Sequence, residues 1–86
     1  MGMISTNSQS VNEPVKVVIM FSTRVTPLLL EWRGRRIYIK RLNLYFHKNI
    51  GRKLLYYFCV SDASDNGYKL AFDTDSLLWK LEEVTY

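Results

Sequence analysis

Cysteine and histidine are nearly absent from this sequence of 86 residues, which has one of each. A single cysteine, Cys59, excludes an internal disulfide, and a small domain that folds without disulfides is typical of the cytoplasm. Cys59 and His47 together fall short of the about four ligands of a structural zinc site, so we expect no metal. No apolar run approaches the roughly 20 residues that span a bilayer, and we expect no membrane contact.

Groups of residues typical of catalysis are missing as well. The sequence has no Ser/His/Asp set and no glycine-rich phosphate loop. Its closest carboxylate pairs are Asp73 with Asp75, which flank a predicted turn, and Glu82 with Glu83, which would point to opposite faces of a strand. We therefore predict a protein that is not an enzyme and that needs no cofactor.

What the sequence has in excess is positive charge in its middle. The net charge is +4, but residues 33–53 contain eight lysines and arginines and no acid. Residues 54–86 contain two lysines and six acids. This polarisation suggests either an anionic partner for the middle segment or pairing of the two segments within the fold, and both interpretations stay open.

Alternating apolar and polar residues predict β-strands from Pro14 onwards. Residues 1–13 are polar and aperiodic, so we expect a disordered tail followed by one small domain over residues 14–86. The domain has enough apolar material for a core, since 48% of all residues are hydrophobic and 14% are aromatic. The predicted strands cover residues 15–22, 28–32, 35–49, 52–61, 68–73 and 77–86.

These strands predict an all-β fold, a six-stranded antiparallel meander that forms a small open or closed barrel. Two segments carry open questions. The strand over 35–49 changes its apolar face near residues 41–43, which predicts a bend or a bulge there. Residues 77–86 also fit a helix capped by Asp75 or Ser76, although we favour a strand.

The stretch EWRGRRIYIK, residues 31–40, predicts a tight hairpin. Gly34 accepts a positive φ at no steric cost, so Arg33 and Gly34 fit a two-residue type I′ turn. In this register Glu31 lies opposite Arg36 as an ion pair, and Arg33 has no structural partner.

The predicted turn also fixes which side chains share a face. We expect Trp32 to contact Arg35 through a cation–π interaction. The residues predicted to face the core are Leu28, Leu30, Trp32, Ile37 and Ile39.

Several short motifs resemble those of a group of small bacterial proteins of unknown function. They are a W-x-G-R hairpin at residues 32–35 followed by Tyr38, the aromatic run 56–58, the L-x-F-D-T segment 70–74, and Trp79. The resemblance covers residues 27–84 and implies a small β fold in the bacterial cytoplasm. It implies no activity.

Two functions remain compatible with the sequence. Small β domains bind single-stranded nucleic acid by stacking bases on aromatic side chains beside a cationic groove. The candidate binding residues are Arg33, Arg36, Tyr38, Lys40, Tyr45, Lys48, Arg52 and Lys53. Exposed tyrosines and an open sheet edge equally suit a protein-interaction module that binds a partner protein or forms a homodimer. We favour the interaction module and keep nucleic-acid binding as the alternative.

Overall fold

The computed structural model describes residues 7–86, which form an open antiparallel sheet of seven strands. The strands are β1 (Ser8–Phe21), β2 (Val25–Trp32), β3 (Arg35–Tyr38), β4 (Arg41–Ile50), β5 (Lys53–Ser61), β6 (Gly67–Asp73) and β7 (Leu78–Thr85). Residues 7–86 contain no helix, and thus no helix long enough to span a membrane. The prediction of an all-β antiparallel fold is confirmed, and the last segment is a strand.

The order of the strands across the sheet is β3-β2-β1-β7-β6-β5-β4. The fold therefore has one strand more than predicted and is not a plain meander, because β1 lies inside the sheet between β2 and β7. The predicted long strand is divided into β3 and β4, which occupy the two edges and do not pair with each other. The sheet consequently stays open, so of the two predicted alternatives, an open or a closed barrel, the closed one is wrong.

The division of the predicted long strand occurs at residues 39 and 40. The amide of Ile39 donates to the carbonyl of Leu28 in β2 at 2.9 Å, whereas the next amide, of Lys40, donates to Ser61 in β5 at 2.8 Å. Adjacent amides on a strand point to opposite edges, so the chain passes here from one partner strand to another. Ile39 and Lys40 thus bond to β2 and β5, whereas β2 and β4 do not pair with each other.

β1 is the longest strand, and its two parts have different partners. Residues 8–15 pair with β7, up to Val15 opposite Trp79, and residues 16–21 pair with β2. Residues 8–13 thus belong to the sheet and not to a tail. A bulge interrupts their pairing with β7, and Asn12 in this bulge has a φ of 52°. Apolar and polar residues therefore do not alternate regularly over residues 8–13. Residues 1–6 of the predicted tail lie outside the described residues.

The β2–β3 hairpin has the predicted turn and register. Arg33 and Gly34 have φ angles of 51° and 74°, and Glu31 lies opposite Arg36, with their side chains 3.4 Å apart. The aromatic contact differs from the prediction, because the guanidinium over the Trp32 ring is that of Arg33, 4.6 Å from the ring centre. Arg33 sits at the turn, where its side chain can fold back over the preceding residue.

The core lies on one face of the sheet, which we call the inner face. The side chains without measurable exposure, or nearly so, are Leu30, Val60, Leu70, Leu81 and Val84. Of the predicted hairpin core residues, Leu28 is the exception, because it is exposed. Leu28 is the extra residue of a bulge, since Pro27 lies opposite Ile19 and Leu29 lies opposite Val18. The bulge turns Leu28 away from the core face.

The predicted change of face in β4 is confirmed. Leu42 lies opposite Val60 and Leu44 lies opposite Cys59, so Asn43 is the extra residue of a second bulge. The side-chain Nδ2 of Asn43 donates to the Ser61 hydroxyl at 3.2 Å. Beyond the bulge, the chain directs Tyr45 to the inner face and Phe46 to the opposite, outer face.

A single carboxylate organises the loop between β5 and β6. Asp62 Oδ1 accepts hydrogen bonds from the amides of Ser64 and Asn66 at 2.9 and 3.0 Å, and Oδ2 accepts one from the Tyr68 hydroxyl at 2.8 Å. Burial by itself raises the pKa of Asp62, but these hydrogen bonds lower it on balance. Burial, with the bond to Asp62, raises the pKa of Tyr68 to about 12.

The pKa of Tyr68 predicts a loss of stability at high pH. Tyr68 keeps its proton in the folded state at a pH where the unfolded chain has lost it, so its contribution is complete below about pH 10 and is lost as the pH rises towards 12. We expect Tyr68→Phe to cost about 1 kcal/mol at neutral pH. As the pH rises from about 10 to about 12, the free energy of unfolding of the Tyr68→Phe variant should fall less steeply than that of the parent. Urea unfolding followed by tryptophan fluorescence measures both.

The matched control for this experiment is Tyr38→Phe, because Tyr38 is exposed. It should reproduce the stability of the parent. Parallel pH profiles for Tyr68→Phe and the parent would show that Tyr68 does not titrate as described.

Candidate functional site

An open cleft of about 370 Å³ lies on the inner face at one end of the sheet. One wall is the end of the β1–β2 hairpin, residues 16–27, which we call the arm. The arm contributes Ile19, Phe21, Thr23, Arg24 and Val25 to the lining. The rest of the lining is aromatic and comes from β4, β5, β6 and β7, through Tyr45, Tyr56, Phe58, Phe72 and Trp79. We call this feature the aromatic cleft.

The rings of the aromatic cleft form one connected surface. Strand pairing places Tyr45 opposite Phe58, and Phe72 opposite both Tyr56 and Trp79. The ring centres of Tyr45 and Phe58 are 5.0 Å apart, those of Phe58 and Trp79 are 5.3 Å apart, and those of Phe72 and Trp79 are 4.9 Å apart. These are the separations of favourable aromatic pairs, so the surface is held in place by its own contacts.

The aromatic cleft is apolar and partly wet. Within residues 7–86, no carboxylate lines it, and Arg24 is the one charged residue of the lining. Tyr45 is about half exposed, and Phe21, on the opposite wall, is 76% exposed. Large aromatic side chains that stay in contact with water are typical of surfaces that bind another molecule.

Beside the aromatic cleft, β4 forms an edge of the sheet. It pairs with β5 along its length, and no other strand of residues 7–86 pairs with it. The edge of β4 that faces away from β5 therefore offers unpaired backbone donors and acceptors over part of the ten residues of the strand. Tyr45 belongs to both features, since it is on β4 and lines the cleft.

Three of the predicted binding residues are held in ion pairs. Arg36 contacts Glu31, as described above, and Lys53 contacts Asp73 at 3.3 Å. Arg33, predicted to have no partner, contacts Glu13 with Nη2 to Oε2 at 2.6 Å and Nε to Oε1 at 3.2 Å. That prediction is wrong because Glu13 belongs to β1, a part of the chain assigned to the tail.

Glu13 also connects the arginine to the core. Its Oε1 accepts a hydrogen bond from Trp32 Nε1 at 2.9 Å. The hydrogen bonds from Arg33 and Trp32 lower the pKa of Glu13. Arg33 thus has a structural role, which is to fix the carboxylate that satisfies the tryptophan.

The other predicted residues do not form one surface. Tyr45 faces the aromatic cleft, whereas Lys48 lies on the outer face, with its ammonium 5.7 Å from the Tyr57 ring centre. Tyr38, Lys40 and Arg52 are exposed, and no ion pair within residues 7–86 includes Lys40, Lys48 or Arg52. Tyr45 alone of the predicted set lies in the cleft.

Sequence reasoning missed most of the aromatic cleft. It placed Phe58, Phe72 and Trp79 in three predicted strands but did not bring them together, because their juxtaposition depends on which strands are neighbours. A signal was present in the arm, where residues 17–21 are apolar without a break. Cys59 also takes no part, and burial raises the pKa of its thiol. No group of three metal-ligating side chains occurs within residues 7–86.

No protein-family model matches the chain, and no curated protein or solved structure matches it. The resemblance to small bacterial proteins therefore stays a prediction. The fold and the site together define a structural class, an open antiparallel β domain with an aromatic cleft beside the free edge of β4.

Proposed function

We propose that this protein is an interaction module that binds an extended segment of a partner protein along the free edge of β4. The observation that carries the proposal is the position of the aromatic cleft beside an unpaired strand edge. A bound segment would gain main-chain hydrogen bonds from β4 and side-chain contacts from the cleft. This combination is a recurring mode of peptide recognition.

The side chains of β4 indicate what the bound segment contains. A strand added beside β4 directs alternate side chains to the inner face, next to Tyr45. Those side chains lie next to the ring of Tyr45, which contacts Tyr56 and Phe58 and favours aromatic or aliphatic groups. The segment should therefore carry apolar residues at every second position.

The charge around β4 indicates the remaining positions. The strand and the residues that flank it carry only positive charge, on Lys40, Arg41, Lys48, Arg52 and Lys53. Of these, only Lys53 is in an ion pair within the described part of the chain. Acidic residues between the apolar ones would complement this edge and speed association. We infer an extended, acidic segment with alternating apolar residues.

Nucleic-acid binding through residues 33–53 has less support. It depends on cations being free for phosphates, and Arg33, Arg36 and Lys53 each contact a carboxylate. It also depends on tyrosines beside those cations, whereas Tyr45 and Lys48 lie on opposite faces. Binding to single-stranded DNA is accordingly the rival outcome of the experiment below.

The test is the binding of fluorescein-labelled peptides measured by fluorescence anisotropy. The probe is a peptide as long as β4, ten residues, that alternates glutamate with phenylalanine or valine. We expect it to bind, and Tyr45→Ala to weaken its affinity at least about tenfold, because an aromatic anchor carries much of such binding energy. Bound peptide should also slow hydrogen exchange of the β4 amides.

Three controls accompany the labelled peptide. Tyr38→Ala removes an exposed tyrosine that does not line the cleft and should leave the affinity unchanged. A peptide with lysine in place of glutamate should bind more weakly than the acidic peptide. A single-stranded oligo-dT should not bind. The proposal fails if neither peptide binds, or if oligo-dT binds and the acidic peptide does not.

A further inference from the structure

The arm is apolar on both faces although much of it is exposed. Val18 and Met20 point to the outer face, Ile19 and Phe21 line the cleft, and the exposed fractions of these four residues run from 40% to 76%. A strand with one wet face alternates apolar and polar residues, whereas an unbroken apolar run is typical of a strand that is covered. The composition of the arm therefore indicates that another surface covers it.

The arm also has a free backbone edge. Residues 16–21 pair with β2 on one side, and on the other side the pairing with β7 ends where Val15 meets Trp79. Natural edge strands are usually protected by charges, by proline or by their shortness. Here no residue from 17 to 23 is charged or is a proline. The free edge is bounded by the β6–β7 turn at one end and by the tip of the arm at the other.

We propose that two copies of this chain associate through the free edges of their arms, by antiparallel pairing of residues 17–21 about a two-fold axis. The free edge of each arm is one short segment. The same segment of a second copy, running antiparallel to it, pairs with it along its whole length. With Ile19 opposite its own copy, Val18 lies opposite the second copy's Met20, so that apolar side chains meet apolar ones. The pairing joins the two sheets into one.

Charge at the two ends of the free edge supports a second copy as the occupant. Antiparallel pairing carries the tip of each arm, with Arg24, towards the other copy's β6–β7 turn, which holds Asp75. Both side chains are exposed, and neither is in an ion pair within residues 7–86. A two-fold axis makes this contact twice, and it places no like charges opposite each other along residues 17–21.

Sedimentation velocity and light scattering on the full chain test the proposal. We expect twice the mass of one chain at about 100 μM protein, where a Kd near 10 μM gives mostly dimer. Met20→Lys should raise the dissociation constant at least about tenfold, because it puts a charge on an apolar edge. Ile50→Lys is the matched control, since Met20 and Ile50 are 50% and 54% exposed and receive the same charge.

A charge reversal tests the orientation of the two arms. Arg24→Asp should weaken the dimer by bringing two aspartates together, and Arg24→Asp combined with Asp75→Arg should restore it. Tyr45→Ala should leave the mass unchanged, which separates this surface from the peptide site. A parent chain that is monomeric at about 100 μM, or equal effects of Met20→Lys and Ile50→Lys, would overturn the proposal.

Discussion

Leu30→Ala should lower the free energy of unfolding by about 3–4 kcal/mol, the middle of the range for a buried leucine. Leu30 has no exposed surface and lies in β2 opposite Val17 of β1 and Ile37 of β3. It therefore connects the β1–β2–β3 part of the sheet to the core of the domain. Truncation leaves a cavity between strands that are held together by backbone pairing and cannot easily close it.

The same strand provides the control for this prediction. Leu28→Ala makes the same chemical change two residues earlier, but Leu28 is 43% exposed and lies in the bulge. We expect a loss below about 1 kcal/mol, because little buried surface is removed. Chemical denaturation of both variants, followed by circular dichroism, gives the comparison. Similar losses at the two positions would show that the bulge does not orient the side chains as described.

The comparison of Leu28 with Leu30 also shows how far sequence reasoning reaches. The hairpin turn and its register follow from Gly34 and from the alternation around it, because two-residue turns permit few registers. The bulge at Leu28 depends on how β2 meets β1, which is not encoded in β2 alone. Local pattern therefore predicts pairs within a hairpin, and it fails at a contact that a distant strand imposes.

The position of β1 between β2 and β7 could not be predicted from the sequence for the same reason. Residues 8–13 pair with β7, 68 to 77 residues later in the chain, from Glu13 with Leu81 to Ser8 with Thr85. A bulge at Asn12 and several polar residues conceal the strand pattern there. Because residues 1–13 were predicted to be a tail, the sequence did not indicate Glu13 as a partner for Arg33 in the candidate site. The acids that pair with Arg33 and Lys53 each lie 20 residues away in the sequence, so the local pattern could not indicate these two contacts.

The aromatic residues divide in a way that the sequence does not reveal. Tyr56 and Tyr57 are neighbours in β5 and differ in face, so one lines the aromatic cleft and the other lies on the outer face. The outer residue is the more buried, because Tyr57 is only 4% exposed. Side chains on both faces of β5 are thus covered, the inner ones by the core and the outer one by its neighbours.

Tyr57→Ala should therefore cost about 3 kcal/mol, as truncation of a buried aromatic residue does in a core. The Tyr57 ring is stacked on Phe46, with ring centres 4.9 Å apart and planes inclined by 14°. The ammonium groups of Lys48 and Lys69 lie 5.7 and 5.1 Å from its centre. Truncation removes the stacking partner and both cation–π contacts together.

Tyr45→Ala is the control for Tyr57→Ala, since Tyr45 is 46% exposed and lies on the neighbouring strand. Its loss should be about 1 kcal/mol or less, because half of the ring is already in water. Thermal unfolding of both variants measures the difference, and each kcal/mol corresponds to roughly 4–8 °C in a domain of this size. Equal shifts would mean that the outer face of β5 does not bury Tyr57. A larger shift for Tyr57→Ala means that the outer face of β5 holds a second packed aromatic cluster, built on Tyr57 and Phe46, in addition to the core on the inner face.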